Sequence, residues 1–356
     1  MDPRTKKLAE LTVKYSVFVK HGEKVIISGS TEAEPFIKAL YEEVIKVGGH
    51  PILRLTLPGL AHTFFKHAQK HQVEKFPDDF EYTVKNSQKY IGIDTESNTR
   101  ELTNCDSSKL ASRSKVTHPI REHITNSKPL MHRVTVGFPC QALAQEAEMS
   151  LTEYEDFVFD ACLQDWKKLG KVMDKILSRF KKGSEVWLVG EGVDLKMRVH
   201  GEKAVADKGE ENMPGGEVFM APVRESLNGW IKFDFPSVRD GKEVSDIELV
   251  FKDGRVVEAK ASKNQDYLKK MLKIDKNAEF VGELGIGCNP KIDKYTNNLL
   301  FDEKIGGTIH LALGAAYKEN GGGNDSALHW DIVKNMKKSK IVVDGKTIQD
   351  KGVWKL

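Results

Sequence analysis

Carboxylate and imidazole side chains are concentrated between Gly216 and Asp331, in segments that are otherwise rich in glycine or apolar residues. The candidates for chemistry in this region are Glu217, Glu283, His310, Tyr317, His329 and Asp331. Carboxylate oxygens and imidazole nitrogens are the ligands that suit a hard or borderline divalent cation. Because more than four such groups are available, the pattern predicts a metal site that could hold two ions side by side.

The spacing of His329 and Asp331 supports a shared ligand role. The two residues are separated only by Trp330. In an extended segment both side chains project from the same face, and the tryptophan points to the other face. The sequence therefore predicts that the imidazole and the carboxylate converge.

Each of these residues also has a structural interpretation. A glutamate beside glycines is compatible with an ordinary turn, and a buried carboxylate can be satisfied by backbone donors. His310 lies in the apolar run TIHLALG, where a core histidine bonded to the backbone is the alternative. Tyr317 could be a packed aromatic residue. The coexistence of several such residues in one region favours the metal site.

Composition indicates a globular protein of two domains with a balanced surface charge. The chain has 356 residues, of which 39% are hydrophobic and 30% are charged. A chain of this length usually exceeds a single small core. Lys and Arg outnumber Asp and Glu by only 55 to 52, a formal charge of +3, so composition does not predict binding to nucleic acid.

Cysteine usage and hydropathy point to a reducing compartment. The four cysteines are widely scattered and form no Cys-x-x-Cys pair, which argues against a zinc knuckle or a disulfide framework. The charged first ten residues lack the apolar core of a signal peptide, and no apolar run approaches bilayer length. We therefore expect a cytoplasmic protein that does not associate with membranes.

The N-terminal part of the chain, residues 1–150, is predicted to be an α/β domain. The run KVIISG predicts a strand, the segment after Pro35 an amphipathic helix, and PILRLTLP the next strand. This βαβ pattern requires a parallel sheet. Further elements are predicted as helices over 61–75 and 107–126 and strands over 90–94 and 133–138. The first strand is followed by no G-x-G-x-x-G, which argues against nucleotide binding.

The middle of the chain is predicted to be one long helix over 152–181, within a connecting segment over 151–182. Tyr154, Phe157 and Trp166 lie on its broad apolar face. These aromatic residues are interpreted as core residues and not as a cofactor site.

The C-terminal part, residues 183–356, is predicted to be an α+β domain rich in antiparallel strands that carries the metal site. Alternating runs such as DLKMRVHG and IELVFKDGRVVEAKA predict strands, and Asp253-Gly254 and Asp344-Gly345 predict tight hairpin turns. A helix is predicted over 265–272.

Four sequence blocks resemble those of the thermophilic-type metallo-aminopeptidases, the aminopeptidase T and aminopeptidase S group. The blocks follow one another in the family's order: PGGEVF from Pro214, ELGIGCNP from Glu283, DEKIGGTIHLALG from Asp302 and SALHWD from Ser326. The resemblance covers essentially the whole chain, and the C-terminal half carries its most specific part.

The resemblance implies two divalent metal ions per chain, with zinc or cobalt expected and manganese or magnesium as alternatives. The implied ligands are Glu217, Glu283, His310, His329 and Asp331. Glu303, in the DEK triplet, is a further candidate ligand, and an ion pair with Lys304 or with a neighbouring helix is the equal alternative. The family also implies a homodimer.

The implied activity is that of an aminopeptidase that releases N-terminal amino acids from short peptides with a free N-terminus. Two divalent ions would lower the pKa of a water molecule and polarise the scissile carbonyl. Glu283 or Glu217 would act as general base, and the residues do not decide which. Tyr317 would donate its hydroxyl to the tetrahedral oxyanion. Another metal-dependent amidohydrolase and a non-catalytic α/β binding protein remain as alternatives.

Overall fold

The computed structural model describes residues 2–127, 131–239 and 241–356. The α-helices are α1 (Pro3–Leu11), α2 (Glu34–Lys46), α3 (Leu60–His67), α4 (Lys70–Val73), α5 (Asp78–Lys85), α6 (Ser107–Asn126), α7 (Gln141–Glu146), α8 (Leu151–Cys162), α9 (Trp166–Leu177), α10 (Gln265–Met271) and α11 (Leu299–Asp302). The strands are β1 (Lys24–Ser30), β2 (His50–Thr56), β3 (Lys89–Asp94), β4 (His132–Gly137), β5 (Lys182–Gly190), β6 (Val193–His200), β7 (Val205–Asp207), β8 (Asn212–Met213), β9 (Glu217–Met220), β10 (Asn228–Lys232), β11 (Ser237–Arg239), β12 (Lys242–Val244), β13 (Glu248–Lys252), β14 (Arg255–Lys260), β15 (Val281–Gly287), β16 (Thr308–Gly314), β17 (His329–Asn335), β18 (Ser339–Val343), β19 (Lys346–Asp350) and β20 (Val353–Trp354).

The chain divides into two compact units. The first runs to Gln164 and includes Gly209–Pro214, and the second comprises Asp165–Lys208 and Gly215–Leu356. The division after Gln164 falls inside the segment that was predicted to connect the domains.

The first unit contains a parallel sheet, as the βαβ pattern predicted. Its strand order is β2-β1-β3-β4-β8, and every pair in it is parallel. Helix α2 begins with a proline in its first turn and buries Phe36, Leu40 and Val44. The ring of Phe36 stacks on Phe138 with centroids 5.0 Å apart. The apolar spacing of this helix therefore marked its core face correctly.

The prediction of one helix over 152–181 was wrong. The segment forms α8 and α9, which are separated at Leu163, a residue with non-helical φ and ψ of −91° and 55°. The carboxylate of Asp165 accepts a hydrogen bond of 3.0 Å from the backbone N–H of Lys168 and so caps the start of α9. An Asp at this position favours a new helix start over continuation, because its side chain satisfies a free backbone donor.

The single helix predicted over 61–75 was also wrong, because it is interrupted at Ala68. Ala68 has extended backbone angles and ends α3, and Gln69 begins a capping box for α4. The helix predicted over 107–126 is α6, with the same limits.

The second unit is rich in antiparallel strands, as predicted. One sheet has the order β14-β13-β10-β6-β5-β18-β19-β20 and another the order β17-β16-β15-β9-β7. The turn between β13 and β14 contains Asp253 and Gly254, both with positive φ, as an Asp-Gly hairpin requires. All four cysteines are free thiols. Within the described part of the chain, no helix has the length and apolar character needed to cross a bilayer.

Candidate metal centre

The five-stranded sheet of the second unit carries five of the candidate ligands. Glu217 begins β9, Glu283 lies in β15, His310 lies in β16, and His329 and Asp331 lie in β17. Every residue of β15 and β16 is buried. The candidates therefore lie on neighbouring strands inside the protein.

The strand register places these side chains on one face of the sheet. Glu283 pairs with Ala312 of β16, and Ala312 pairs with Asp331 of β17. Residues directly opposite each other share a face of the sheet, and so do residues two apart in one strand. His310 precedes Ala312 by two residues and His329 precedes Asp331 by two, so both imidazoles lie on the face that carries the carboxylates.

Two glycines of β15 lie on the face of the sheet that carries the candidate ligands. Gly285 pairs with His310, and Gly287 pairs with Glu217. A Cβ atom at Gly285 would lie 2.0 Å from both Cε1 and Nε2 of His310, which no real side chain tolerates. Gly285, the first glycine of the ELGIG block, is therefore required because the imidazole of His310 lies directly over its backbone.

Replacing this glycine tests the packing of the imidazole. We expect Gly285→Ala to displace the ring of His310, to lower metal content and to reduce catalytic activity by about a hundredfold or more. Metal analysis and steady-state kinetics measure these effects. Gly323→Ala is the matched control, since a Cβ at Gly323 would meet nothing within 4 Å. Full activity of Gly285→Ala would contradict the geometry.

The ligand atoms are close enough to hold cations. Glu217, Glu303 and His310 offer three ligand atoms that lie within 4.8 Å of one another, and Glu283, His310 and Asp331 offer a second such set. The Nε2 atom of His310 lies 3.3 Å from Glu283 Oε1 and 3.8 Å from Glu217 Oε2. His310 therefore belongs to both groups, as a residue between two neighbouring ions would.

Unpaired polar atoms show that the described residues do not satisfy the cluster completely. Among these residues, Oε2 of Glu217, Oε2 of Glu283 and Oδ1 of Asp331 are buried and have no hydrogen-bond partner. Native proteins rarely leave buried carboxylate oxygens unsatisfied. This observation argues against the alternative that these carboxylates are satisfied by backbone donors, and the donor set fits divalent cations.

His329 and Tyr317 lie at the more open side of the cluster. The Nδ1–H of His329 donates to the carbonyl of Ala315 at 2.9 Å, so its Nε2 carries the free lone pair. This Nε2 lies 3.4 Å from Oδ2 of Asp331. The ring of Tyr317 packs against that of His329 with centroids 5.3 Å apart, and 46% of Tyr317 is exposed. The tyrosine is thus not a core residue.

Two further charged residues lie near the cluster: Asp207, which was not identified from the sequence, and Lys304, which was named only as a possible partner of Glu303. Asp207 of β7 pairs directly with Glu217 and is buried. Lys304 is fully buried, forms an ion pair with Glu303 and places its Nζ 4.0 Å from Glu217 Oε1. The sequence offered both outcomes for Glu303, as a metal ligand or as the partner of Lys304, and its position permits both. Asp207 carried no sequence signal, because its proximity depends on the pairing of β7 with β9.

The charges in this cluster shift the pKa values of its members. Burial alone would lower the pKa of His310, but the hydrogen bond to Glu283 and the charge of Glu217 outweigh it and raise the pKa to about 10. Burial and the charge of Glu303 raise the pKa of Glu217 well above its ordinary value. Burial also raises the pKa of Asp331. Without metal, the ring of His310 therefore carries both of its protons at neutral pH.

These raised pKa values predict that metal uptake releases protons. A protonated His310 must lose a ring proton before its nitrogen can bind an ion. We therefore expect affinity for a divalent ion to rise with pH until the pH reaches about 10, the pKa of His310. Calorimetric titration in two buffers of different ionisation enthalpy measures the protons released. Affinity that is independent of pH, with no proton release, would contradict this prediction.

A cavity of about 110 Å³ adjoins the cluster. His329 and Asp331 line it together with the apolar side chains of Val238, Leu299 and Val333. The cavity is therefore large enough to receive a small side chain next to the candidate ligands.

Comparison with known proteins identifies relatives over the full length of the chain. The family model Peptidase M29, described as thermophilic metalloprotease, matches residues 1–354. Aminopeptidase AmpS of Bacillus subtilis is 25% identical over 401 residues, which cover 97% of this chain and 97% of that protein. Aminopeptidase T of Thermus aquaticus is 35% identical over 136 residues, which cover 34% of this chain and 33% of that protein.

Solved structures show the same fold. Wild-type AmpT from Thermus thermophilus superposes with a TM-score of 0.86 at 23% identity and covers 99% of both chains. The 2,5-dihydroxypyridine dioxygenase from Pseudomonas putida KT2440 gives a TM-score of 0.59 at 13% identity and covers 98% of this chain and 96% of that chain. Because the second structure has a different activity, the fold alone does not decide function. The match of the family model over residues 1–354 shows that this chain belongs to the peptidase M29 family of thermophilic metalloproteases.

Proposed function

We propose that this protein is a metal-dependent aminopeptidase that releases N-terminal amino acids from short peptides. The observation that carries the proposal is the buried group of unpaired carboxylate oxygens around His310. Full-length relatives named as aminopeptidases support the choice of reaction. The structure of the dioxygenase provides no such support, since it is similar only in fold.

We propose that the site holds two divalent ions, with zinc or cobalt preferred. Glu217, Glu303 and His310 would hold one ion, and Glu283, His310 and Asp331 would hold the other. His329 would be a further ligand of the second ion, because its Nε2 lies 3.4 Å from Oδ2 of Asp331. When bound, such ions lower the pKa of a water molecule and polarise a carbonyl group.

A carboxylate of the cluster would carry the proton between the water and the leaving amine. Glu283 is the better placed candidate, because one of its oxygens faces His310 Nε2 at 3.3 Å and the other is unpaired. Glu217 also has one unpaired oxygen, but its other oxygen lies 4.0 Å from Nζ of Lys304, and this ammonium stays charged when His310 loses its proton to bind a metal ion. These contacts favour Glu283 as general base.

Tyr317 is proposed to stabilise the oxyanion. Partial burial raises the pKa of its hydroxyl, and the nearby carboxylates of Glu283 and Asp331 raise it further. The phenol therefore stays protonated at neutral pH and can donate a hydrogen bond.

Removing this hydroxyl should affect the chemical step. We expect Tyr317→Phe to lower kcat by about a hundredfold while KM changes little, because the oxyanion forms only in the transition state. Steady-state kinetics with a peptide substrate measure both constants. Tyr82→Phe is the control, since Tyr82 is 71% exposed and lies on α5 in the first unit. An unchanged kcat in Tyr317→Phe would exclude this role.

The proposed substrates are peptides with a free α-amino group. A divalent ion held at this site would bind a free α-amino group through the nitrogen lone pair of its neutral form, and the adjoining cavity beside His329 and Asp331 could receive the side chain of the N-terminal residue. We also propose that the protein acts as a homodimer in the cytoplasm and binds neither nucleic acid nor membranes. Sedimentation of the purified protein tests the oligomeric state.

The decisive experiment combines elemental analysis with hydrolysis of leucyl anilide before and after chelation. We expect divalent metal in the purified protein, loss of activity on chelation and recovery when zinc or cobalt is returned. The N-acetylated anilide is the control and should not be cleaved. Cleavage of the acetylated substrate would indicate a different amidohydrolase. A metal-free protein with no hydrolysis would indicate a binding protein.

A further inference from the structure

Lys304 is a fully buried cation that belongs to the candidate metal centre. It follows α11, and its Nζ donates to the carboxylate of Glu303 and lies 4.0 Å from Oε1 of Glu217. The negative charge of Asp207 also acts on it. A buried ammonium is costly unless it is paired, so these carboxylates are the reason that Lys304 remains charged inside the protein.

The two candidate metal groups differ in their relation to this lysine. Glu217 and Glu303 are both ion-pair partners of Lys304 and both belong to the first group with His310. The second group contains Glu283 and Asp331. In the described parts of the chain, Lys304 forms no ion pair with either of these two carboxylates. The ammonium is therefore a neighbour of only one half of the centre.

We propose that Lys304 is a built-in cation that weakens metal binding to the Glu217–Glu303 half, so that the ion held by Glu283 and Asp331 binds first. An ion in the Glu217–Glu303 half lies near a positive charge in a region of low dielectric, and like charges repel strongly there. It must also share the carboxylate of Glu303 with the lysine. This inference rests on the proposed two-ion site.

The local charge explains why the second ion can still bind. Once Glu217 has lost its proton, Glu217, Glu303 and Asp207 bring three negative charges to this half, and Lys304 brings one positive charge. The remaining two negative charges match one divalent ion. Lys304 therefore lowers the affinity of this half without blocking it.

A purely structural role for Lys304 makes the opposite prediction. If the lysine only held Glu303 in position for the metal, its removal would disorder a ligand and weaken metal binding. If it competes with the metal, its removal strengthens binding. The direction of the change in affinity therefore separates the two roles.

Titration of the metal-free protein with Co²⁺, followed by calorimetry and by visible absorption, tests the proposal. We expect two binding steps in the wild type that differ by about tenfold or more in affinity. Glu303→Gln should lower the affinity for the second Co²⁺ ion, and Asp331→Asn should lower the affinity for the first. Lys304→Met should strengthen the second step by about tenfold or more and leave the first step nearly unchanged.

Lys334→Met is the matched control for loss of a buried lysine. Lys334 is 2% exposed and pairs with Asp234 at 2.8 Å, and Asp234 belongs to neither candidate metal group. This variant should leave both steps unchanged. If Lys304→Met does not fold, Lys304→Gln is the replacement variant, because it removes the charge and keeps a hydrogen-bond donor. The titrations of the wild type, Glu303→Gln and Asp331→Asn do not depend on either variant, and they show which half of the centre binds the first ion.

Any one of three results would overturn the proposal. The wild type could bind two Co²⁺ ions with equal affinity, or Glu303→Gln could lose the tighter binding step. Lys304→Met could also bind Co²⁺ more weakly than the wild type. Hydrolysis of leucyl anilide is measured separately. Ordered binding without hydrolysis would refute the proposed activity and leave the role of Lys304 intact, whereas hydrolysis with two equal binding steps would refute only the role of Lys304.

Discussion

Glu283→Gln is expected to lower kcat/KM by about a thousandfold or more without unfolding the protein. Glutamine has nearly the same shape, so the buried strand β15 can keep its packing. It cannot accept a proton from water at neutral pH and is a poor ligand for a hard cation. Steady-state kinetics with leucyl anilide, together with a thermal melt, measure activity and fold.

Metal content separates the two ways in which Glu283 could act. Loss of activity with both ions retained would identify the carboxylate as the general base. Loss of one ion would identify it as a ligand. Glu279→Gln is the control, since this glutamate precedes the same strand and pairs with Arg255 at 3.1 Å, away from the candidate ligands. Retained turnover in Glu283→Gln would refute the assignment of the site.

His310→Gln is expected to lose both ions and to lower activity by about a thousandfold or more. The imidazole is a member of both candidate metal groups, so its loss leaves two carboxylates in each. Asp331→Asn damages only the group that contains Glu283. Elemental analysis should therefore find less metal in His310→Gln than in Asp331→Asn.

The control for this substitution is His200→Gln. His200 is partly exposed and lies 3.8 Å from Glu202, and it belongs to neither candidate metal group. We expect normal metal content and activity in this variant. Two ions bound to His310→Gln would show that His310 is not shared between the groups.

Local sequence patterns predicted α2, α6, α10 and strands β1 to β4, but they did not predict α1, α5, α7, α11 or the strands β9, β15 and β16. Apolar spacing and Pro35 identified α2, and the Asp-Gly pairs identified the hairpins of the second unit. Such signals act over a few residues and are therefore readable in the chain. The prediction failed where two local signals competed, as at Asp165, where a helix cap interrupts an apolar pattern that could have continued.

The sequence also supplied the types of ligand and the spacing of His329 and Asp331. Extended backbone places residues two apart on one face, so this part of the site followed from the chain alone. The resemblance of the ELGIG and DEKIGGTIHLALG blocks to a known family is confirmed by the family match over residues 1–354.

Tertiary structure decided how distant residues meet. The register of β7, β9, β15, β16 and β17 places candidate ligands from separate segments on one face. It also brings Asp207 next to Glu217 and requires glycine at position 285 beneath His310. A shift of one residue in any strand would turn its side chains to the opposite face, and no local pattern fixes that register.

The sequence by itself therefore suggested the residue types of the candidate site and a domain rich in antiparallel strands around them. It did not predict the strands β9, β15 and β16 that carry Glu217, Glu283 and His310. Only the tertiary structure showed that Lys304 is buried beside Glu217 and Glu303, because a lysine in a charged triplet is normally exposed to solvent. The physical reason is that local backbone preferences act within a few residues, whereas burial and electrostatic pairing depend on groups that only folding brings together.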